Sequence, residues 1–404
     1  MTAPSEDDFR AEVLAFLRAH GTPRTEGRAL ARDVTPDRVS LPVVGAVPPE
    51  QEQAELAAAR AWRQLRFDNG LGWITGPVEL GGRGLPASYE RLYDEAEAAY
   101  DTPERGYLRT GVNIVGPTIH QFGTPWAHKR FLPGIMRADE VVCQLFSEPG
   151  AGSDLANVST RAVRDGDEWV ITGQKVWSSG AHYATVGECL ARTNPDASKH
   201  RGLSMFLVDM SAPGIEVRSI RQMTGGAEFD EVFLDEVRVP AEALLGEVDG
   251  GWAVTMHTLM NERSAIGDEL VPDRELIDRL VELAQHERLD QRPDLRLAVA
   301  DLVMRLRATR AMVDDILAGI GEGEVPGPEL ALAKLAATDD VMRIADVVQD
   351  ILGARLIADT GEWGTFSWTE FVLGVHGLRI GGGTDEVLRN GIGEHVLGLP
   401  REPR

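Results

Sequence analysis

A chain of 404 residues is too long for one small core and points to two or three domains. Its composition, 43% hydrophobic and 26% charged, is that of a soluble globular protein, and no apolar run reaches the length of a membrane span. The net charge of −23 excludes a nucleic-acid footprint, so any phosphate has to be held locally by arginines, backbone N–H groups or helix N-termini. With two cysteines only, Cys143 and Cys189, and an acidic start (Met1–Asp8) that lacks an apolar core, the chain reads as cytoplasmic and free of disulfides.

Three blocks of different periodicity follow one another: residues 1–137, 138–246 and 247–404. In the first, apolar residues recur at helical spacing (Phe9/Val13/Phe16/Leu17, then Leu56/Trp62/Leu65), and Pro/Gly-rich connectors at Leu41–Pro49 and Gly70–Pro86 interrupt them. The middle block carries short β-rich runs at Val141–Phe146, Trp169–Ile171, Ser204–Val208 and Glu231–Val237, which suit an antiparallel barrel or sandwich. Helical patterns then return over Trp252–Leu270, Arg274–His286, Leu295–Ile320, Glu329–Leu352 and Asp385–Leu397, with Gly321–Pro328 read as a loop. Leu295, Leu302, Leu306 and Val313 read as surplus apolar face, part of it intramolecular core and the rest an expectation of oligomerisation.

Four segments carry candidate chemistry. Ser147-Glu148-Pro149-Gly150-Ala151-Gly152-Ser153-Asp154 follows a strand, and its small residues let backbone N–H groups approach a flat or anionic ligand. An unliganded tight turn explains it equally well. In Val176-Trp177-Ser178-Ser179-Gly180, the Trp either packs on an aromatic cofactor or, as most tryptophans do, fills the core. The third is Arg221-Gln222-Met223-Thr224-Gly225-Gly226-Ala227-Glu228-Phe229. The fourth, Gly381-Gly382-Gly383-Thr384-Asp385-Glu386-Val387-Leu388-Arg389-Asn390, resembles a flexible loop feeding a helix, with Thr384 as a plain N-cap or as part of an anion site. Nine histidines show no ligand-like spacing, Cys143 reads as buried, and no nucleophile elbow supports a hydrolase.

In this order the segments resemble the acyl-CoA dehydrogenase family, most closely its actinobacterial fatty-acid and steroid-side-chain members. The resemblance implies a mainly α fold: an N-terminal helical domain, a middle β domain and a C-terminal helical bundle. It implies FAD, an acyl-CoA substrate, an electron-transfer flavoprotein as acceptor, and a tetramer that is homomeric or heteromeric. It places the Phe146 backbone and the Ser147 hydroxyl at the flavin, with Trp177 beside the ring and Ser178 and Ser179 near it. Gly152 and Ser153 fall near the pantetheine or the cofactor phosphate, and Thr384, Glu386, Gln349 and Gly353 near the rest of FAD. Substrate contacts are expected from Ser153, Arg263 and Gly383.

Two departures stand out. The family's Arg-x-x-Phe contact to FAD has no Phe here, where the chain reads Arg288-Leu289-Asp290-Gln291-Arg292-Pro293, leaving Arg292 and Arg296 as substitutes. Many relatives also place the catalytic Glu directly before the Gly-Thr of the C-terminal loop, where this chain has Gly382. Another branch carries its base on the first C-terminal helix, and Glu262 falls there. An ordinary solvated helix Glu is the commoner case, but the joint occurrence of Glu262 and Gly382 favours the base. Glu262 would take the α-proton, with Leu259 and Ile266 flanking it on one helix face and burial raising its pKa. The Gly382 N–H would polarise the thioester carbonyl. Rival readings are a non-catalytic or FAD-sharing subunit of a heteromeric dehydrogenase, and a flavoprotein of altered chemistry such as an oxidase or an acyl-carrier-protein dehydrogenase.

Overall fold

A computed structural model describes residues 3–24, 47–103, 106–270, 274–318, 329–358 and 365–401. The described residues form two compact units: one of residues 3–24, 47–220 and 227–261, the other of residues 221–226 and those from 262 onward. Most of the connector read over Leu41–Pro49, and all of the loop read over Gly321–Pro328, lie outside the described residues.

The first unit opens with helices α1 (Glu6–His20), α2 (Pro49–Asp68) and α3 (Ala87–Glu97). Ser5 caps α1 by accepting the Asp8 N–H (3.2 Å), and acidic residues in the first turn complement the helix dipole. The apolar spacing closes as expected: Phe9, Val13, Phe16 and Leu17 pack with Trp62, Tyr89 and Tyr93 in one core. Strands β1 (Thr22–Pro23) and β2 (Tyr100–Asp101) form a short pair. Then come α4 (Gly106–Arg109), a π-helical turn over Thr110–Val115, α5 (Gly116–Phe122) and α6 (Pro125–Arg137).

The β-rich part is an eight-stranded sheet of β3 (Val142–Leu145), β4 (Arg161–Asp165), β5 (Glu168–Ser179), β6 (Val186–Arg192), β7 (Leu203–Asp209), β8 (Ile215–Ile220), β9 (Phe229–Pro240) and β10 (Leu244–Leu245). Its order is β10-β7-β6-β4-β5-β9-β8, with β3 paired to β6. The pairing is not purely antiparallel, because β3 runs parallel to β6 with Val142 opposite Val186. The sequence runs anticipated β3, β7, β9 and the start of β5. They missed β4, β6, β8 and the two-residue β10, because β4 and β8 are too charged (Arg161-Ala162-Val163-Arg164-Asp165), β6 carries a buried Glu188 in mid-strand and β10 is too short to show a period. The fully buried Cys143 and Cys189 are free thiols; burial pushes Cys189 up to about 11 and Cys143 higher still, so neither is a reactive thiolate.

Helix α7 (Gly251–Leu270) spans the boundary between the units, which falls between Asn261 and Glu262. The second unit continues with α8 (Arg274–His286), α9 (Pro293–Ala318), α10 (Leu330–Leu352), α11 (Thr365–Leu378) and α12 (Asp385–His395). Helix α11 escaped the periodicity argument because Thr365–Leu378 is apolar nearly all round, leaving no polar face to contrast with Trp368, Phe371 and Val375 in the core. The four residues read as surplus apolar face are spent within the chain. Leu302 and Leu306 are buried with residues of α8, α10 and α11, Leu295 packs with Leu289 and Val299, and Val313 packs with Ala333. Among the described residues the large exposed apolar side chains of α9 are instead Leu297 and Met304, so an amphipathic period alone misassigns which face is left over.

In the first unit His182 bridges α2 and β9, its Nδ1 2.8 Å from Asp230 Oδ2 and its Nε2 3.1 Å from Glu52 Oε2. The hydrogen bond to Asp230, opposed by burial and reinforced by Glu52, pushes its pKa up to about 9 from 6.5. A raised histidine pKa stabilises the fold fully below about 6.5, and the contribution is lost as pH rises through about 9. The Tm of His182→Gln is therefore expected to lie below that of the parent near pH 6 and to converge on it near pH 10 (roughly). A gap constant across that range in thermal denaturation would remove this assignment.

Candidate active site

In the first unit, the Ser147–Asp154 loop and the end of β5 are joined by one buried cation. Lys175 is fully buried, and its ammonium donates to Phe146 O (3.0 Å), Leu190 O (2.7 Å) and Glu148 Oε1 (3.0 Å), so all three donors are used. Glu148 in turn accepts from Ser159 N, Ser159 Oγ and Thr160 N at 2.6, 2.7 and 2.8 Å. Burial alone would raise the Glu148 carboxyl, but the Lys175 charge and these hydrogen bonds outweigh it and hold it down at about 2. Ser147 O accepts the Val176 N–H (2.9 Å), which completes the tie between the two segments.

Two residues beyond Lys175 the β5–β9 register shifts, and Trp177 sits there at φ 61°. A bulky residue in the left-handed region is strained by about 1–3 kcal/mol and is held there by its surroundings. The bulge turns the indole outward, leaving it 58% exposed and in edge contact with Phe229 (centroids 6.1 Å apart). The core reading of Trp177 is thereby excluded. Ser179 is exposed on the same side, whereas Ser178 is buried and its hydroxyl has no partner among the described residues. Phe146 is buried, and Gly152 and Ser153 are exposed. A Cβ added at Gly150 or Gly152 would meet no atom within 4 Å, so the loop faces open space.

The last turns of α7 that belong to the first unit are anchored by polar contacts. Asn261 Nδ2 donates to Ile114 O (3.1 Å) in the π-helical turn and to Thr118 Oγ1 (3.3 Å), Thr118 meets Thr258 (3.1 Å), and Thr258 donates to Glu188 (2.8 Å).

In the second unit, Glu262 is half-buried and Arg263 exposed; the Ile266 side chain lies outside the described residues. Gly382 and Gly383 have φ +65° and +95°, which favours glycine at both. A Cβ placed on Gly382 would lie 3.5 Å from Lys334 Nζ and 3.7 Å from Glu262 Oε1, so the carboxylate and the ammonium flank one small open position. The N–H groups of Gly382 and Gly383 meet no acceptor among the described residues. Thr384 caps α12, accepting the Val387 N–H (3.3 Å), and Asp385 is buried against Arg379 (2.7 Å), while Glu386 is exposed. The helix N-terminus therefore already holds a carboxylate. Gln349 and Gly353 are exposed at the end of α10. Arg292 pairs with Asp294 (3.2 Å), whereas Arg296 has no ion pair among the described residues and lines a shallow concavity of about 290 Å³ with Asp290, Pro293, Leu297 and Ala300.

Sequence profiles of the acyl-CoA dehydrogenase N-terminal, middle and C-terminal domains match residues 25–139, 143–237 and 249–397. The acyl-CoA dehydrogenase IpdE1 of Mycobacterium tuberculosis is 39% identical over 98% of this chain and 99% of its own length. The chain belongs to the acyl-CoA dehydrogenase family. Among solved structures, the one described as "Tcur3481-Tcur3483 steroid ACAD" covers 100% of this chain and 99% of its own at 28% identity and a TM-score of 0.75. The ChsE4-ChsE5 complex from Mycobacterium tuberculosis covers 100% and 99% at 26% identity and a TM-score of 0.70. The fold is accordingly that of an acyl-CoA dehydrogenase, and the chain is an oxidoreductase of acyl-CoA thioesters in a family of flavoproteins, which implies FAD.

The residues present fit a flavin: an outward-turned indole at a strained bulge and a glycine loop open above its backbone suit a flat aromatic ring. Motif reading missed Lys175 and Lys334, since a lone lysine carries no local signal of burial. Lys175→Met leaves Glu148 buried without its cation and is expected to cost about 3–5 kcal/mol of stability. Chemical denaturation of the flavin-free protein checks this; a loss under about 1 kcal/mol would show the pair to be dispensable.

Proposed function

We propose that this chain dehydrogenates the Cα–Cβ bond of an acyl-CoA thioester to the trans-2-enoyl thioester, with Glu262 as the base. The observation that carries this reading is the Glu262 carboxylate beside Gly382, whose N–H has no partner among the described residues. The Glu262 carboxylate removes the α-proton and holds it at an oxygen, while the Gly382 N–H, with that of Gly383, donates to the thioester carbonyl and stabilises negative charge developing there. When bound, FAD supplies the hydride acceptor for Cβ. Trp177 and Ser179, with the Phe146 backbone and Ser147, hold and shield its ring; Ser178, being buried, contributes through its backbone. Gly152 and Ser153 lie against the pantetheine or a phosphate, and Arg263 and Gly383 serve the substrate.

Glu386, Thr384, Gln349, Gly353 and Arg296 take up the remainder of FAD. Exposed Glu386 would repel a phosphate, so the ribose or adenine is its fitting partner. Free Arg296, rather than Arg292, replaces the family's missing Arg-x-x-Phe contact. Residues 1–137, 138–246 and 247–404 act as the three domains. The steroid dehydrogenase among the similar structures supports a steroid-derived acyl group, and an electron-transfer flavoprotein is the acceptor we expect. A second reading has specific support: similar structures are two-component assemblies, so this chain is either a homo-oligomer or one subunit of a heteromer that shares FAD.

Glu262→Gln keeps the size of the side chain and removes the proton acceptor. Bleaching of bound flavin by acyl-CoA under anaerobic conditions is expected to slow by roughly 10²–10⁴, with the yellow holoprotein still formed. Parent-like bleaching in this variant would overturn the base. Protein that takes up FAD only when mixed with a second dehydrogenase subunit would establish the heteromeric reading.

A further inference from the structure

The Trp177–Ser179 segment has an ion pair on either side of it. Lys175–Glu148 precedes it, and His182, in the turn that follows, meets Asp230 of β9. Asp230 is fully buried and stands directly opposite Ser178 on one neighbouring strand and Ser219 on the other. Its Oδ1 accepts the Ser219 hydroxyl (2.7 Å), and its Oδ2 accepts the backbone N–H (3.0 Å) and the ring Nδ1–H (2.8 Å) of His182. Gly180 opens the turn at φ +62°, where a Cβ would fall 2.2 Å from Tyr183 Oη, and its N–H donates to Glu228 O (2.9 Å). This anchor sets which way the segment faces. Trp177 and Ser179 are exposed and Ser178 is buried, so a slip of one residue beyond the bulge would turn Ser178 out and Ser179 in. Such a slip would relieve the strain at Trp177, so the chain has to be held on both sides of the bulge. Lys175 holds the near side and Asp230 the far side.

We propose that Asp230 is the positioning residue of the flavin-facing segment and His182 its counter-ion: together they hold Trp177 and Ser179 outward, and FAD binds most tightly while His182 is an imidazolium. The proposal rests on the reading of Trp177 and Ser179 as flavin contacts. The groups that face His182 are Asp230 from β9, Glu52 from α2 (3.1 Å from Nε2) and Tyr183, whose ring meets the imidazole edge-on. Tyr107 from α4 lies against Tyr183 and donates to Glu55 (2.8 Å), while Glu228 and Cys143 also face this cluster. Burial pushes both phenols and the Cys143 thiol above their ordinary values. The His182 side chain is partly exposed and exchanges its proton with solvent. The hydrogen bond to Asp230, opposed by burial and aided by Glu52, holds its pKa up at about 9, so the charge is present at neutral pH and lost as pH rises through that value.

The test titrates FAD into the flavin-free parent, His182→Gln, Asp230→Asn, the double variant and Trp177→Ala, reading flavin fluorescence against pH. At about pH 7, His182→Gln and Asp230→Asn are each expected to weaken FAD binding by about tenfold, and the double variant no more than either. The gap between His182→Gln and the parent is expected to close by about pH 10. A purely structural role would weaken binding by the same factor at every pH, and that outcome overturns the proposal. Parent-like affinity in His182→Gln at neutral pH, alongside weakened binding by Trp177→Ala, also overturns it and leaves the flavin placement intact. Parent-like affinity in Trp177→Ala overturns the placement instead. A second measurement needs no flavin: hydrogen exchange of the Ser178–Ala184 amides at neutral pH is expected to be about tenfold faster in His182→Gln than in the flavin-free parent, with β7 unchanged. Equal exchange in the two proteins overturns the proposal.

Discussion

An ammonium group buried among β-strands has to be compensated where it stands, and Lys175 meets that requirement by drawing three separate stretches of chain onto itself. The end of β3 contributes the Phe146 carbonyl, β6 the Leu190 carbonyl, and the following loop the Glu148 carboxylate. Because desolvating a charge costs more than any one contact returns, the three contacts hold together or not at all. Glu148 extends the constraint to Ser159 and Thr160 at the entrance to β4. The loop with the open glycines and the strand with the outward tryptophan are therefore parts of one electrostatic unit, and the strain at Trp177, two residues from the cation, is borne by it.

The second unit solves a related problem with a softer cation. Lys334 is only half-buried, and what it organises is a glycine loop rather than a sheet. Charge and space are coupled there. Two left-handed glycines leave a position open beside an ammonium and a carboxylate. The acidic surface of the chain has no part in this. Beside the loop, Asp385 is held by Arg379 and lies 3.9 Å from Arg389.

The helices with one polar and one apolar face were legible from periodicity alone: α8 spans Arg274–His286 as read, and α10 and α12 begin within one residue of the expected positions. Helix α11 was not legible, since it has no polar face, and β4 and β8 were not, since their exposed side carries charge. Of the candidate site, Thr384 is the N-cap that its position before Asp385-Glu386 suggested. Trp177 went against the general tendency of tryptophan, because a bulge, which leaves no mark in the sequence, reversed the direction of its side chain. The oligomerisation argument from Leu295, Leu302, Leu306 and Val313 failed for a simple reason. Period shows that a helix has an apolar face but not whether the chain's own helices already cover it.

The sequence by itself determined the family, the helix–strand–helix order and the identity of the short segments that carry chemistry. These are properties of residues adjacent in the chain, where turn chemistry and motif spacing act directly. Only the tertiary structure decided which lone charges organise those segments. Lys334 reaches Gly383 across 49 residues, and Lys175 reaches Glu148 across 27. A lysine's burial, and hence the strength and consequence of its charge, depends on what folds over it, a quantity that no local pattern of residue types contains.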